Sequence, residues 1–258
     1  MKYRRPLLWL IPIIAVLAFF AAGAGVFYHN PGQPFEITNH RGETVVINAI
    51  GLYYFDSVSS AAQKQANDLV TLVVGLPLLI ISTISSLRGS MRGRLLLTGT
   101  LGFFLYTYMS MSMLTAYNSL FLVYVALFSL SLYAFILSMM SFDLEDLKGR
   151  FSERLPRGWI AGLLFVVGGL LALAWLARIG ASLLQGGTPA LENTTTLVIQ
   201  AMDLGLAVST MSVNMALRGV GEGLGIMVPF LAITVLNLIM AIVLLRNVEP
   251  RGGAAGAQ

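Results

Sequence analysis

Apolar runs separated by short polar breaks organise this chain. Seven such runs occur, at residues 7–28, 67–87, 95–115, 120–140, 159–179, 194–217 and 224–245. Each is close to the roughly 20 residues that a hydrocarbon layer of about 30 Å requires of a spanning helix. The pattern predicts an all-α, polytopic membrane helix bundle with about seven transmembrane helices. A single domain, residues 1–246, would be followed by a flexible glycine- and alanine-rich tail, residues 247–258. Ala22-Gly23-Ala24 resembles a leader-cleavage site, but the run from Leu7 to Tyr28 exceeds the usual signal core of roughly 7–15 residues, which predicts an uncleaved first helix.

The polar breaks have structure of their own. The longest, residues 29–66, carries Phe35 to Thr38 and Glu43 to Ile47 on either side of Asn39-His40-Arg41-Gly42. Two short β-prone segments around a turn that ends in glycine predict an extracytoplasmic β-hairpin between helices 1 and 2. Gly51-Leu52-Tyr53-Tyr54-Phe55 is an aromatic cluster suited to a membrane interface. Asp56 can cap a helix beginning near Ser57 that runs on into the second span, with Pro77 expected to kink it. In residues 141–158, Leu144, Leu147 and Phe151 recur at helical spacing among mixed charges, predicting a short amphipathic surface helix that Pro156 ends. Trp9, Tyr28, Tyr117, Trp159 and Trp175 read as interface anchors. Gly168, Gly169 and Ala172 form a small face for close helix contact.

Composition strengthens the membrane reading. The chain has 258 residues, of which 57% are hydrophobic and 11% charged, and its mean hydropathy is +0.80. Soluble domains carry roughly 25% charged residues. The net charge of +4 does not point to nucleic acid, because the basic residues sit at the ends of apolar runs and form no stripe with aromatics. They set topology instead. With the N-terminus in the cytoplasm, eleven of the sixteen Lys and Arg fall on inner segments: Lys2, Arg4, Arg5, Arg88, Arg92, Arg94, Lys148, Arg150, Arg154, Arg157 and Arg218. Arg41, Lys64, Arg178, Arg246 and Arg251 fall outside. This positive-inside bias predicts a plasma-membrane protein with a cytoplasmic N-terminus and, with seven spans, an extracytoplasmic C-terminus. A re-entrant sixth run would leave six spans.

Polar groups inside the runs are the candidate chemistry. Asp203 lies within the sixth run, where an ionised carboxylate costs about 3 kcal/mol at the bilayer centre. Thr196, Gln200, Asp203, Ala207, Thr210 and Asn214 follow alternating spacings of four and three, one face of a helix. Asp68, Thr71, Gly75, Leu78, Ser82 and Ser85 repeat the arrangement on the second run. The third run adds Tyr106, Thr107, Tyr108, Ser110, Ser112 and Thr115, and the seventh adds Thr234 and Asn237. These faces predict an outward-opening polar cavity between spans two, three, six and seven. Asp203 would be its deepest charge and Asp68 would sit near its mouth. Asp203, Gln200, Asp68, Tyr106, Tyr108 and Asn237 are the candidate ligand-binding residues. The serines and threonines read more simply as helix-joining groups, worth about 0.6 kcal/mol per bond. A structural role for Asp203, bonded to Tyr106, Tyr108, Asn237 or Arg178, is the competing interpretation.

Much other chemistry is absent. There is no cysteine, and the two histidines, His29 and His40, both lie in the outer loop. With Glu36 and Glu43 they match no metal-ligand spacing and read as solvated loop residues. No HExxH or GxSxG element occurs, and the lysines Lys2, Lys64 and Lys148 leave no helix-centre Schiff-base site. Gly219-Val220-Gly221-Glu222-Gly223 follows a helix and precedes no Walker lysine, so it is a plain turn. No catalytic residue, metal or cofactor is expected, and the reading leans away from an enzyme; a carboxylate enzyme acting on lipid is the weakest alternative. The sequence points to a protein of the lipid bilayer that binds or transports a small polar ligand or cation. The alternative is a non-catalytic subunit or assembly factor that docks membrane-protein partners through the outer loop and the 141–158 helix.

Overall fold

The computed structural model describes residues 3–39 and 42–143, with single positions between 170 and 185. The expected spans at 194–217 and 224–245, most of that at 159–179, the surface helix from residue 144 onward and the tail lie outside the described residues. So do Asp203, Gln200 and Asn237.

The described part is mostly helical, with one small sheet. In order it comprises α1 (Arg4–Phe27), β1 (Phe35–Thr38), β2 (Thr44–Ile47), α2 (Val58–Val70), a π-helical turn (Thr71–Gly75), α3 (Leu76–Leu87), α4 (Met91–Leu114) and α5 (Phe121–Met139). Among the described residues, three helices are long and apolar enough to cross a membrane: Arg4–Phe27, the continuous Val58–Leu87 and Phe121–Met139. α4 packs against both α3 and α5, and α1 packs against α2 and α5.

The helix surfaces explain why lipid suits them. On α1, Leu7, Ile11, Ile14, Ala18 and Ala21 are buried at alternating spacings of four and three, the face toward the bundle. The opposite face is equally apolar yet exposed, with Phe19 at 65% and Trp9 at 76% of full exposure. A helix apolar all round calls for an apolar surrounding on both sides.

The hairpin forms as its sequence suggests. Phe35 pairs with Ile47 and Thr38 with Thr44 in antiparallel register. Gly42 closes the turn at φ +82° and donates its backbone N–H to Asn39 O at 2.9 Å. Asn39 braces the same turn, its Nδ2 donating to Glu43 Oε2 at 2.9 Å and its Oδ1 accepting from the Glu43 backbone N–H at 3.0 Å.

Two local expectations change. Ser57, not Asp56, caps α2, its hydroxyl accepting from Ser60 N at 3.2 Å. Asp56 stands one residue earlier, and its carboxylate turns to other partners. Pro77 has no N–H to return to the carbonyl four residues back. The chain answers one turn earlier with a π-helical turn, in which Leu76 N donates to Thr71 O, five residues back. Ser90 caps α4 by accepting from Gly93 N at 3.2 Å. Gly93 lets α4 turn back closely on Ser85 of α3.

These antiparallel turns give the described bundle two ends. The hairpin end holds β1, β2 and the α4–α5 turn. The basic end holds the start of α1, the α3–α4 turn and the end of α5, where Arg94 bonds Ser141.

Candidate functional site

The loop from Asn48 to Asp56 folds over the hairpin end of the bundle. Asn48 organises it: its Nδ2 donates to Ile50 O at 2.7 Å and Tyr53 O at 3.2 Å, and its backbone N–H donates to Asp56 O at 2.8 Å. Ala49 takes a left-handed conformation, φ 55°, which a residue with a Cβ adopts at a cost. The result drives one tyrosine inward. Tyr53 is fully buried, whereas its neighbour Phe55 is exposed.

The Tyr53 hydroxyl donates to Asp68 Oδ2 at 2.5 Å. It also lies 3.4 Å from the Tyr124 hydroxyl and 3.9 Å from Met111 Sδ. The loop, α2, α4 and α5 therefore meet at one point. α1 completes the enclosure at Gly25, where a Cβ would stand 1.7 Å from Asp68 Oδ2. Asp68 is only 1% exposed. Burial pushes the Tyr53 phenol well above its ordinary value of 10.0, and the neighbouring charge of Asp68 pushes it the same way. Tyr53 is thus a hydrogen-bond donor to the carboxylate. Deeper in the bundle, the Tyr108 ring stacks on Tyr124 with centroids 6.5 Å apart. Among the described residues, the buried hydroxyls of Thr71, Thr107 and Tyr108 have no hydrogen-bond partner.

A second buried cluster adjoins this one. Asp56 Oδ1 accepts from Lys64 Nζ at 2.8 Å, from the Ser60 hydroxyl at 3.3 Å and from the backbone N–H of Ala116 at 3.2 Å. Lys64 also donates to the Ser60 hydroxyl. Asp56 Oδ2 is buried without a hydrogen-bond partner among the described residues. Asp56, Lys64 and Asp68 are all buried. Of these two buried carboxylates, Asp56 is the one paired with the Lys64 ammonium.

The candidate residues of the sequence divide three ways. Asp68 and Tyr108 belong to this enclosed region, and Asp68 is covered by the loop rather than open at a cavity mouth. Tyr106 is half-buried and two residues from Tyr108, about 200° around the helix, so the two rings do not face the same group. Asp203, Gln200 and Asn237 fall outside the described residues. Sequence reasoning placed Tyr53 in an interface aromatic cluster, whereas it is buried here, and missed Tyr124, Met111 and Gly25. It also counted Lys64 only as an outer charge. One signal was available: Asp56, Ser60 and Lys64 recur every four residues, a single helical face bearing an acid, a hydroxyl and a base.

No family model, curated protein or solved structure matches this chain.

Proposed function

We propose that this chain is a multi-pass membrane protein that binds a small monovalent cation beneath its outer loop, at Asp68. One observation carries the reading: among the described residues, the buried carboxylates and ammonium groups of the hairpin end are two acids and one base. Lys64 is committed to Asp56 at 2.8 Å, so an ionised Asp68 lacks a compensating charge. An uncompensated charge of this kind is costly in a low-dielectric site, and a bound cation or a proton relieves it. The surroundings suit a cation. The Tyr108 and Tyr124 rings and the Met111 sulfur all offer electron density. A single carboxylate matches a single positive charge, and no three His, Cys, Asp or Glu converge among the described residues.

In this reading α4 is a further span. Its 24 residues extend about 36 Å. Its threonines turn inward, Thr98 to Ser138 at 2.6 Å and Thr100 to Leu96 O at 2.8 Å, which keeps polar groups from lipid. The later runs complete seven spans, and Asp203, with Gln200 and Asn237, supplies a second acidic position to the same polar interior. The docking-subunit alternative draws less support. The hairpin face carrying Glu36, Thr38, Thr44 and Val46 is mostly polar, and the 141–158 segment is described only to residue 143.

The test is thermal unfolding of the purified full-length protein in mild detergent, with sodium, potassium or tetramethylammonium chloride at constant ionic strength. One of these cations raises the midpoint saturably, and Asp68→Asn removes that rise while the variant still unfolds cooperatively. A midpoint indifferent to cation identity, or a rise that survives Asp68→Asn, rejects the reading. Persistence of the rise in Asp203→Asn removes Asp203 from the site.

A further inference from the structure

One oxygen of Asp68 is closed in on two sides. A Cβ on Gly25 would stand 1.7 Å from Oδ2, and the Tyr53 hydroxyl bonds the same oxygen at 2.5 Å. That hydroxyl is itself held in place, 3.9 Å from Met111 Sδ and 3.4 Å from the Tyr124 hydroxyl. A cation that coordinates Oδ2 has to take the position of the Tyr53 hydroxyl. A proton needs no such room, because it adds to a carboxylate without moving a heavy atom.

The charges near Asp68 point the same way. Among the described residues, the loop supplies Tyr53 and Asp56, α2 supplies Lys64, α4 supplies Tyr108 and α5 supplies Tyr124. α1 meets Asp68 at Gly25, which does not titrate. Lys64 and Asp56 pair at 2.8 Å and neutralise each other. Burial holds the Tyr53 phenol well above its ordinary value of 10.0, so this tyrosine of the loop stays neutral. The phenols of Tyr108 and Tyr124 are neutral at physiological pH, as tyrosines are. One positive charge at Asp68 therefore restores neutrality, and a second overshoots it in a site where net charge is costly. A proton and a monovalent cation are alternatives there, not companions.

Building on the cation reading above, we propose that Asp68 holds a proton whenever no cation is bound, that cation entry releases this proton one for one, and that Tyr53 is the latch displaced in the exchange. The O–H bond of the Asp68 carboxylic acid breaks and its electron pair stays on the carboxylate. The proton passes to water, and the cation takes its place. Tyr53 keeps its own proton and moves off Oδ2.

Infrared difference spectroscopy of the full-length protein in mild detergent tests this, with N-methylglucamine chloride as background and sodium or potassium chloride as probe. In the background salt the wild type shows a carboxylic acid C=O band that fades as pH rises and that Asp68→Asn lacks. Sodium or potassium removes the same band at fixed pH. The concentration needed for half-removal rises up to tenfold for each unit of lower pH, because one proton competes with one cation. Tyr53→Phe, which keeps the ring and loses the latch, lowers that concentration about fivefold, the scale of one neutral hydrogen bond. Absence of any acid band that depends on Asp68 overturns the proposal. A cation that raises the unfolding midpoint without removing the band overturns the exchange and leaves the cation site standing. A band that no cation removes, together with a midpoint that no cation raises, rejects the cation site and the exchange alike. Weaker cation binding in Tyr53→Phe makes the hydroxyl a ligand and overturns its role as a latch.

Discussion

Gly25 offers only a hydrogen where α1 meets the carboxylate of α2. A Cβ there would lie 1.7 Å from Asp68 Oδ2, 2.6 Å from Asp68 Cγ and 3.0 Å from the Tyr53 hydroxyl. No contact of that kind is tolerated, so Gly25→Ala must displace either the carboxylate or the helix. Overpacking of this type costs about 1–3 kcal/mol. Gly23 is the internal control, since its Cβ would meet nothing within 4 Å. We expect Gly25→Ala to lower the unfolding midpoint in mild detergent and Gly23→Ala to leave it level or raise it. Equal midpoints for the two variants would show that α1 does not approach Asp68 as described. Little of this was legible in the chain. Gly25 sits in a run of alanines and glycines whose members look alike, and only the packing of α1 on α2 distinguishes them.

The elements at the hairpin end are held by charge as well as by packing. Asp56 precedes α2, Lys64 lies two turns into it, and Ala116 belongs to the turn between α4 and α5. One carboxylate oxygen accepts from both. Removing one partner of a buried pair strands the other, at about 3–5 kcal/mol, whereas replacing both with apolar groups costs far less. Lys64→Met should therefore destabilise strongly in the same unfolding assay. Adding Asp56→Leu should recover part of the loss, though not the bond to Ala116. A double variant weaker than the sum of the single ones would contradict a coupled pair. Element boundaries, by contrast, were readable. The hairpin strands, the start of α2 near Ser57 and the spans ending at Leu87 and near Met140 all follow from local periodicity and turn residues. Pro77 signalled a disturbance correctly. Its form, a π-helical turn just before it, depended on how the helix redistributed its carbonyls.

For the whole molecule, the antiparallel turns place the hairpin and the α4–α5 turn at one end and the arginine-rich turns at the other. On the positive-inside reading, we propose that the hairpin end faces outward. The chain contains no cysteine, so single cysteines report orientation without background. Glu36→Cys and Ser119→Cys, at exposed positions of the hairpin end, should react with a membrane-impermeant maleimide on intact cells. Arg88→Cys, exposed at the basic end, should react only after permeabilisation. Labelling of Arg88→Cys alone in intact cells reverses the orientation.

The amino-acid order alone determined that this protein has long apolar helices, a hairpin after the first, and basic residues gathered at one set of turns. Those properties are local: run length, helical spacing and turn chemistry are all contained in a few consecutive residues. Tertiary structure alone decided what Asp68 meets. Its hydroxyl donor comes from Tyr53, 15 residues earlier, and that tyrosine lies against Met111 and Tyr124, 58 and 71 residues onward. Contacts so distant depend on the register between helices and on the room that Gly25 leaves, and neither is written in any single segment.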